Sequence, residues 1–244
     1  MVSGQQSSDL WTRGSLDAFY TKHGAGLEWM KNMSVDLPSR RGGCWVAGQL
    51  LYYLLQPKVS VEEVLRAEKT RMGWDKMQHP VAAFHVRHGD RAQRGHQGSN
   101  IQLEDFIKQL TVVDPAVKDI LLMTEDEAVV QDAEHNFPGY RFYVTQIQPR
   151  KNDDINRLMK EGKLDPEKEM LNALVNLYLA VDCDYFLGHL SSSWGRLVLL
   201  LSYGKYGCFP VHDAMGSTWK SRWGFSSCTT EEFAKEAGAF SCGA

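Results

Sequence analysis

The sequence has no apolar run approaching the ~20 residues that a membrane-spanning helix needs. It has little charge excess of either sign. Against 27 Lys and Arg stand 30 Asp and Glu, a net charge of -3, so no global basic field points to nucleic acid or to an anionic membrane surface. The opening residues MVSGQQSSDLW carry neither a positive n-region nor an apolar h-region. They are not expected to be a signal peptide, and if the protein is secretory its targeting segment is expected to be missing from this chain. The five cysteines, Cys44, Cys183, Cys208, Cys228 and Cys242, include no C-x-x-C pair of a zinc site. Their odd number leaves at least one free thiol or an external partner, and a disulfide within the tail is possible but not demanded. No G-x-G-x-x-G follows a strand-like run and no Walker A motif occurs, which excludes a classical dinucleotide fingerprint and a P-loop. There is no internal repeat and no convincing metal cluster.

What is present is an ordinary globular composition, 43% hydrophobic and 23% charged, enough for one large domain. The chain is organised around VAAFHVRHGDR, residues 81–91. Residues 81–86 read as a short buried strand. Arg87, His88, Asp90 and Arg91 then crowd its carboxyl end. Burying unpaired charge is costly, so these groups make sense facing a crevice that binds an anion. In open α/β sheets ligands sit at such strand ends.

Upstream, residues 44–56 read as a helix stopped by Pro57. Ser60 and Glu63 read as a capping box opening a second helix that runs to about residue 71. Earlier residues are mixed, with short helices possible at 10–19 and 26–33. Downstream of the central strand, helices are expected at about 102–110, 126–136, 166–181 and 194–201, and strands at 120–124, 141–144 and 185–190. Residues 146–163 read as polar loop, and the chain beyond Lys205 as irregular with a short helix near 230–237. Strand and helix alternate four times, the pattern of a Rossmann-like, doubly wound parallel α/β sheet.

Several constellations carry chemistry. Arg87 and Arg91 end the first strand, while Ser191, Ser192 and Ser193 open a helix at the end of the fourth. A helix start favours phosphate, and arginine contacts phosphate oxygens bidentately. Serines ahead of a helix also serve simply as its cap. Glu125 and Asp126 end the second strand, where a carboxylate pair could bind sugar hydroxyls or act as a base, or Asp126 could begin the next helix. His85 lies within the central strand. Asp182-Cys183-Asp184 is a D-x-D triplet where turn residues are expected. Arg87-His88-Gly89 resembles the R-H-G signature of histidine phosphatases, with His189 as a second histidine and His88 as the nucleophile. Asn32-Met33-Ser34 is a glycosylation sequon.

Taken together, HPVAAFHVRHGDRA resembles the donor-binding segment of the α-1,6-fucosyltransferases of the N-glycan core and of nodulation fucosyltransferases, glycosyltransferase family 23, where the strand ends H-V-R-R-x-D-K. CWVAGQLLYYLLQP is similar to that family's W-W-V-x-Q-x-x-x-Y-L-x-R-P helix. MTEDEAVVQDAEHNFPGYRFYV resembles its A-T-D-D-P and K-Y-P-x-Y-x-F stretches, and YFLGHLSSSWGRL its D-F-L-V-C-T-F-S-S-Q-V-C-R segment. The likeness covers about residues 44–205. It implies the C-terminal, donor-binding half of a GT-B-like, inverting, metal-independent enzyme of the Golgi lumen or secretory pathway. Residues 1–75 would be the helical end of a first catalytic subdomain, 76–205 the GDP-sugar-binding domain and 206–244 an irregular tail.

The same resemblance implies GDP-fucose as donor, a glycan as acceptor, and no cofactor. His85 would bond guanine, Arg87 would hold the β-phosphate and stabilise leaving GDP, and the 191–193 serines, Ser192 above all, would contact the diphosphate. Asp90 and Arg91 match the family's Asp and Lys, and Glu125 and Asp126 its acceptor-contacting pair. The family's second arginine is His88 here. The position of its proposed base falls at Gly95, leaving His96, Glu125 or Asp126 to take that role. Its guanine-binding aspartate aligns with Asn176. These departures leave a catalytically degenerate nucleotide-sugar-binding domain as one alternative and the His88 phosphohydrolase as another.

Overall fold

A computed structural model describes residues 43–88, 101–145, 155–190, 192–213, 215, 230–239 and 241–242. In chain order it contains α1 (Gly43–Leu54), α2 (Val59–Met72), a 3-10 turn (Trp74–Lys76), β1 (Val81–Val86), α3 (Leu103–Val113), β2 (Asp119–Thr124), α4 (Glu127–Asn136), β3 (Arg141–Tyr143), α5 (Ile155–Lys160), α6 (Pro166–Val181), β4 (Tyr185–Gly188), α7 (Ser193–Tyr206), β5 (Val211–Asp213) and α8 (Thr230–Ala239). The five strands form one sheet in the order β3-β2-β1-β4-β5, and every pairing is parallel.

The doubly wound α/β sheet expected from the alternation is therefore present. All six residues of β1 are buried. Alternate side chains face opposite ways along a strand. Val81 and Ala83 join Leu121, Met123 and Phe186 beneath α1, α6 and α7. Ala82, Phe84 and Val86 join Ile120, Leu122 and Leu187 beneath α3 and α4. The helices start where side chains supply acceptors for otherwise unpaired N–H groups. Asp165 accepts from the amides of Glu167 and Lys168 ahead of Pro166, and Gln102 and Asp105 form a reciprocal capping box on α3.

Four details differ from the sequence pattern. Ser60 does not cap α2, because that helix begins at Val59 with Lys58 at the cap position and no side-chain cap bond. The polar stretch 146–163 contains the short helix α5. A fifth strand lies beyond residue 205, so the sheet continues past the expected domain boundary. The strand expected over 185–190 ends at Gly188, which puts His189 and Leu190 in the turn. The candidate helices at 10–19 and 26–33 and the sequon lie outside the described residues. In the tail, Cys208 is disulfide-bonded to Cys242 with Cα atoms 5.1 Å apart. Cys44 is disulfide-bonded as well, and Cys183 is a buried free thiol.

Helices α1 and α7 cross at two glycines. A Cβ on Gly48 would lie 2.7 Å from the Leu200 carbonyl oxygen. One on Gly204 would lie 2.7 Å from the Gly48 carbonyl carbon and 2.9 Å from Tyr52 Cβ. Gln49 Nε2 seals the crossing by donating to the Gly204 carbonyl at 2.9 Å.

The amino ends of the strands are closed by ion pairs. Asp119, with a side chain 0% exposed, accepts from Arg141 Nη2 at 2.7 Å, Tyr143 Oη at 2.9 Å and the Gln78 amide at 2.7 Å. Burial works to raise its pKa, but these donors, led by Arg141, hold it below the ordinary carboxylate value. Asp182 takes Lys69, Lys205 and Tyr206. Asp184 takes His79 and the Val81 amide.

Two outcomes are expected. Asp119→Ala strands the Gln78 N–H and the Tyr143 hydroxyl beside an unpaired Arg141, and urea unfolding should show a loss of about 3 kcal/mol at neutral pH. A depressed carboxylate stabilises above its unfolded value and ceases to as pH falls through its folded one. Unfolding followed by circular dichroism below pH ~4 should therefore show wild type losing stability faster than Asp119→Asn. Gly204→Ala gains about 1 kcal/mol of helix propensity but meets backbone atoms that cannot yield, so its melting temperature should fall.

Candidate functional site

Strands β1 and β4 lie side by side, with His85 in register with Gly188. From β1 the chain winds outward to β2 and β3, and from β4 it winds the other way to β5. The connections leaving the two carboxyl ends therefore diverge and open a crevice, the position at which ligands bind doubly wound sheets. Arg87 and His88 leave β1 into this crevice. His189 and the serine turn leave β4 on its other side.

Arg87 is half-buried, and its Nε is fully buried. His85, 6% exposed, points to the α6 and α7 side of the sheet, where a Cβ on Gly188 would come within 3.0 Å of its own Cβ. Ser192 is the N-cap of α7, and its Oγ accepts from the Trp194 amide at 3.3 Å. It is 3% exposed. A hydroxyl that accepts one bond keeps its own proton to donate. Ser193 is exposed, and its Oγ accepts from Arg196 Nη2 at 3.2 Å. Gly195 brings the first turn of α7 close to the strand end. A Cβ there would meet the His189 carbonyl oxygen at 2.7 Å.

Asp126 caps α4, its Oδ1 accepting from the Ala128 amide at 3.0 Å. Its Oδ2 lies 3.0 Å from His88 Nδ1. Both oxygens are thus engaged within the protein. Glu125, one residue earlier, is half-buried at the same strand end. On α6, Asn176 is 9% exposed. Its amide nitrogen donates to Thr145 Oγ1 at 2.8 Å and to the Asn172 carbonyl at 3.0 Å. Its Oδ1 is buried with no hydrogen-bond partner among the described residues.

The structure thus places Arg87, with His85 just before it, and Ser192 and Ser193 at adjacent strand ends, with Glu125 and Asp126 at the neighbouring one. Asp90, Arg91, His96 and Ser191 lie outside the described residues. The D-x-D carboxylates, Asp182 and Asp184, stand at the amino end of β4 among their cations, away from the crevice. The sequence pattern does not single out Arg196, a cation 9% exposed in the first turn of α7. An arginine interrupting the start of an apolar helix was its signal. It does not single out Thr145 either, since that contact spans 31 residues.

Three comparisons bear on the chain. A family model for alpha-(1,6)-fucosyltransferase N- and catalytic domains matches residues 39–197. An alpha-(1,6)-fucosyltransferase of Drosophila melanogaster is 27% identical over 103 residues, which cover 40% of this chain and 16% of that protein. Among solved structures, NodZ alpha-1,6-fucosyltransferase soaked with GDP-fucose has a TM-score of 0.37 at 20% identity, over 60% of this chain and 43% of NodZ. Fucosyltransferase NodZ from Bradyrhizobium has 0.36 at 17%, over 59% and 42%. The chain spans about a sixth of the length of the Drosophila relative and under half of NodZ. With the family model matching well over half of its residues, the chain belongs to the alpha-(1,6)-fucosyltransferase family.

Proposed function

We propose that this chain is the donor-binding part of a glycosyltransferase that transfers fucose from GDP-fucose to a glycan acceptor of the N-glycan type, with inversion and without a metal. One observation carries this beyond family membership. Arg87 and the start of α7 stand at adjacent strand ends on either side of the crevice. A guanidinium and a helix amino end are two independent sources of positive potential, and each favours a diphosphate.

The chemistry then divides among the residues. The acceptor hydroxyl oxygen forms a bond to the fucose anomeric carbon as the bond from that carbon to the β-phosphate breaks, and the electron pair leaves with GDP. Arg87 and the α7 N–H groups stabilise the charge that builds on the leaving phosphate. Ser192 adds its hydroxyl proton. The acceptor proton passes to a carboxylate or histidine. Asp126 is committed to its helix and to His88, so Glu125 or His96 takes this role. On the guanine side, Asn176 Oδ1 accepts from a base edge that donates N–H groups. A secretory-pathway setting agrees with the three disulfide-bonded cysteines, Cys44, Cys208 and Cys242.

A phosphohydrolase with His88 as nucleophile fits the geometry worse. One ring nitrogen faces Asp126 and the other lies 3.1 Å from the Ile101 carbonyl oxygen, so both are turned to partners within the protein.

Titration calorimetry with GDP and GDP-fucose should show dissociation constants on the order of micromolar, weakened at least tenfold in Arg87→Ala. Equal binding by both proteins, or by neither, would reject the proposal for this chain. Binding without turnover on a panel of glycan acceptors would favour the degenerate binding domain. Asn176→Ala should narrow the preference for GDP over ADP several-fold, read by competition calorimetry, with little effect on phosphate-driven binding itself.

A further inference from the structure

His88 is joined to three separate parts of the chain. By sequence it follows Arg87 at the end of β1. Through Nδ1 it reaches Asp126 Oδ2 at 3.0 Å, 38 residues away, at the cap of α4. Through Nε2 it reaches the Ile101 carbonyl at 3.1 Å, 13 residues away, just ahead of α3. The side chain is 13% exposed. A carbonyl oxygen and a carboxylate are both acceptors, so each bond forms when the ring nitrogen facing it carries a proton. Asp126 is fixed in turn. Its Oδ1 takes the Ala128 amide, and its own amide donates to Thr124 Oγ1 at 3.1 Å.

The twelve residues from Gly89 to Asn100 lie between His88 and Ile101. They carry Asp90, Arg91 and His96. The Nε2 bond ties the two flanks of that segment together, and the Nδ1 bond ties both to the carboxyl end of β2. Positioning of this kind works through held geometry rather than contact with the reacting atoms.

We propose that His88 is a positioning residue, an internal clamp that fixes the flanks of segment 89–100 against the α4 cap and so sets Arg87 in the crevice. The clamp itself stands on the geometry. Its effect on nucleotide binding rests on the proposed function.

Two readouts separate the two. Amide hydrogen exchange reads the clamp directly. In His88→Ala the amides of Ile101–Leu103 and of Ala128–Val129 should exchange at least tenfold faster together, with those of β2 unchanged. Calorimetry with GDP reads the consequence, a weakening of several-fold. His88→Arg should restore both, because a guanidinium supplies N–H donors for the carboxylate and the carbonyl at once. His88→Gln fills the space but offers a single amide, and should recover only part; it also serves if the alanine variant fails to fold. Unchanged exchange in both the Ala and Gln variants would overturn the clamp, as would His88→Arg behaving no better than His88→Ala. A wild-type chain that binds no GDP would overturn the proposed function, while the exchange result would still decide the clamp.

Discussion

Burial of β1 on both faces governs where charge can lie in this protein. Neighbouring strands flank it, α3 and α4 cover one face and α6 and α7 the other, and all six of its residues are buried. Parallel sheets are built this way. Ionisable groups are excluded from the strand, His85 aside, and collect where it begins and ends. The two ends are treated differently. At the amino ends Asp119, Asp182 and Asp184 are each met by cations or N–H donors, and the rim is electrostatically closed. At the carboxyl ends Arg87 stands at the strand end beside the one from which α7 starts, with Glu125 and Asp126 at the next, on the rim that the topology also splits open.

Close approach is the second constraint, and glycine supplies it where it matters to the crevice. Gly195 lets the first turn of α7 sit against the His189 carbonyl, which a Cβ would push away. That contact holds the helix amino end against the turn that follows β4. Gly204 meets Gly48 at the other end of the same helix and locks α7 onto α1. One helix is therefore fixed at both ends, at its start to the site and near its end to the preceding helical layer. A helix start can hold an anion usefully only if it does not move, and this packing removes the freedom to do so.

The parts that were legible in the sequence have strong local signals. β1 is a continuous apolar run, α3 shows its apolar residues at helical spacing, and α6 announces itself by Asp165-Pro166. β5 was not legible, because three half-buried residues carry no periodicity. Its place depends on Phe209 stacking on Tyr203, with ring centroids 4.1 Å apart, and on the Cys208–Cys242 bond. α5 is under two turns of chain, half of it polar, too short to show a pattern. Ser60 misled because a serine followed three residues later by glutamate also occurs inside a helix, and the helix had already begun. At the site, single residues were legible and their pairings were not. Arg87 at a strand end is a local fact. His88 with Asp126, or Asn176 with Thr145, joins residues far apart in the chain, and only the fold brings them together.

The His88–Asp126 pair also decides how labour is divided at the crevice. A carboxylate that accepts from a helix amide with one oxygen and from an imidazole with the other has its preferred lone pairs occupied. Taking a proton would weaken the bonds that hold α4 and the β1 end in place, so catalysis through Asp126 would loosen the site at the moment of reaction. A general base works best when its protonation leaves its surroundings intact. That argues against Asp126 as the base of the proposed reaction. Asp126 therefore keeps the scaffold, whichever group takes the acceptor's proton.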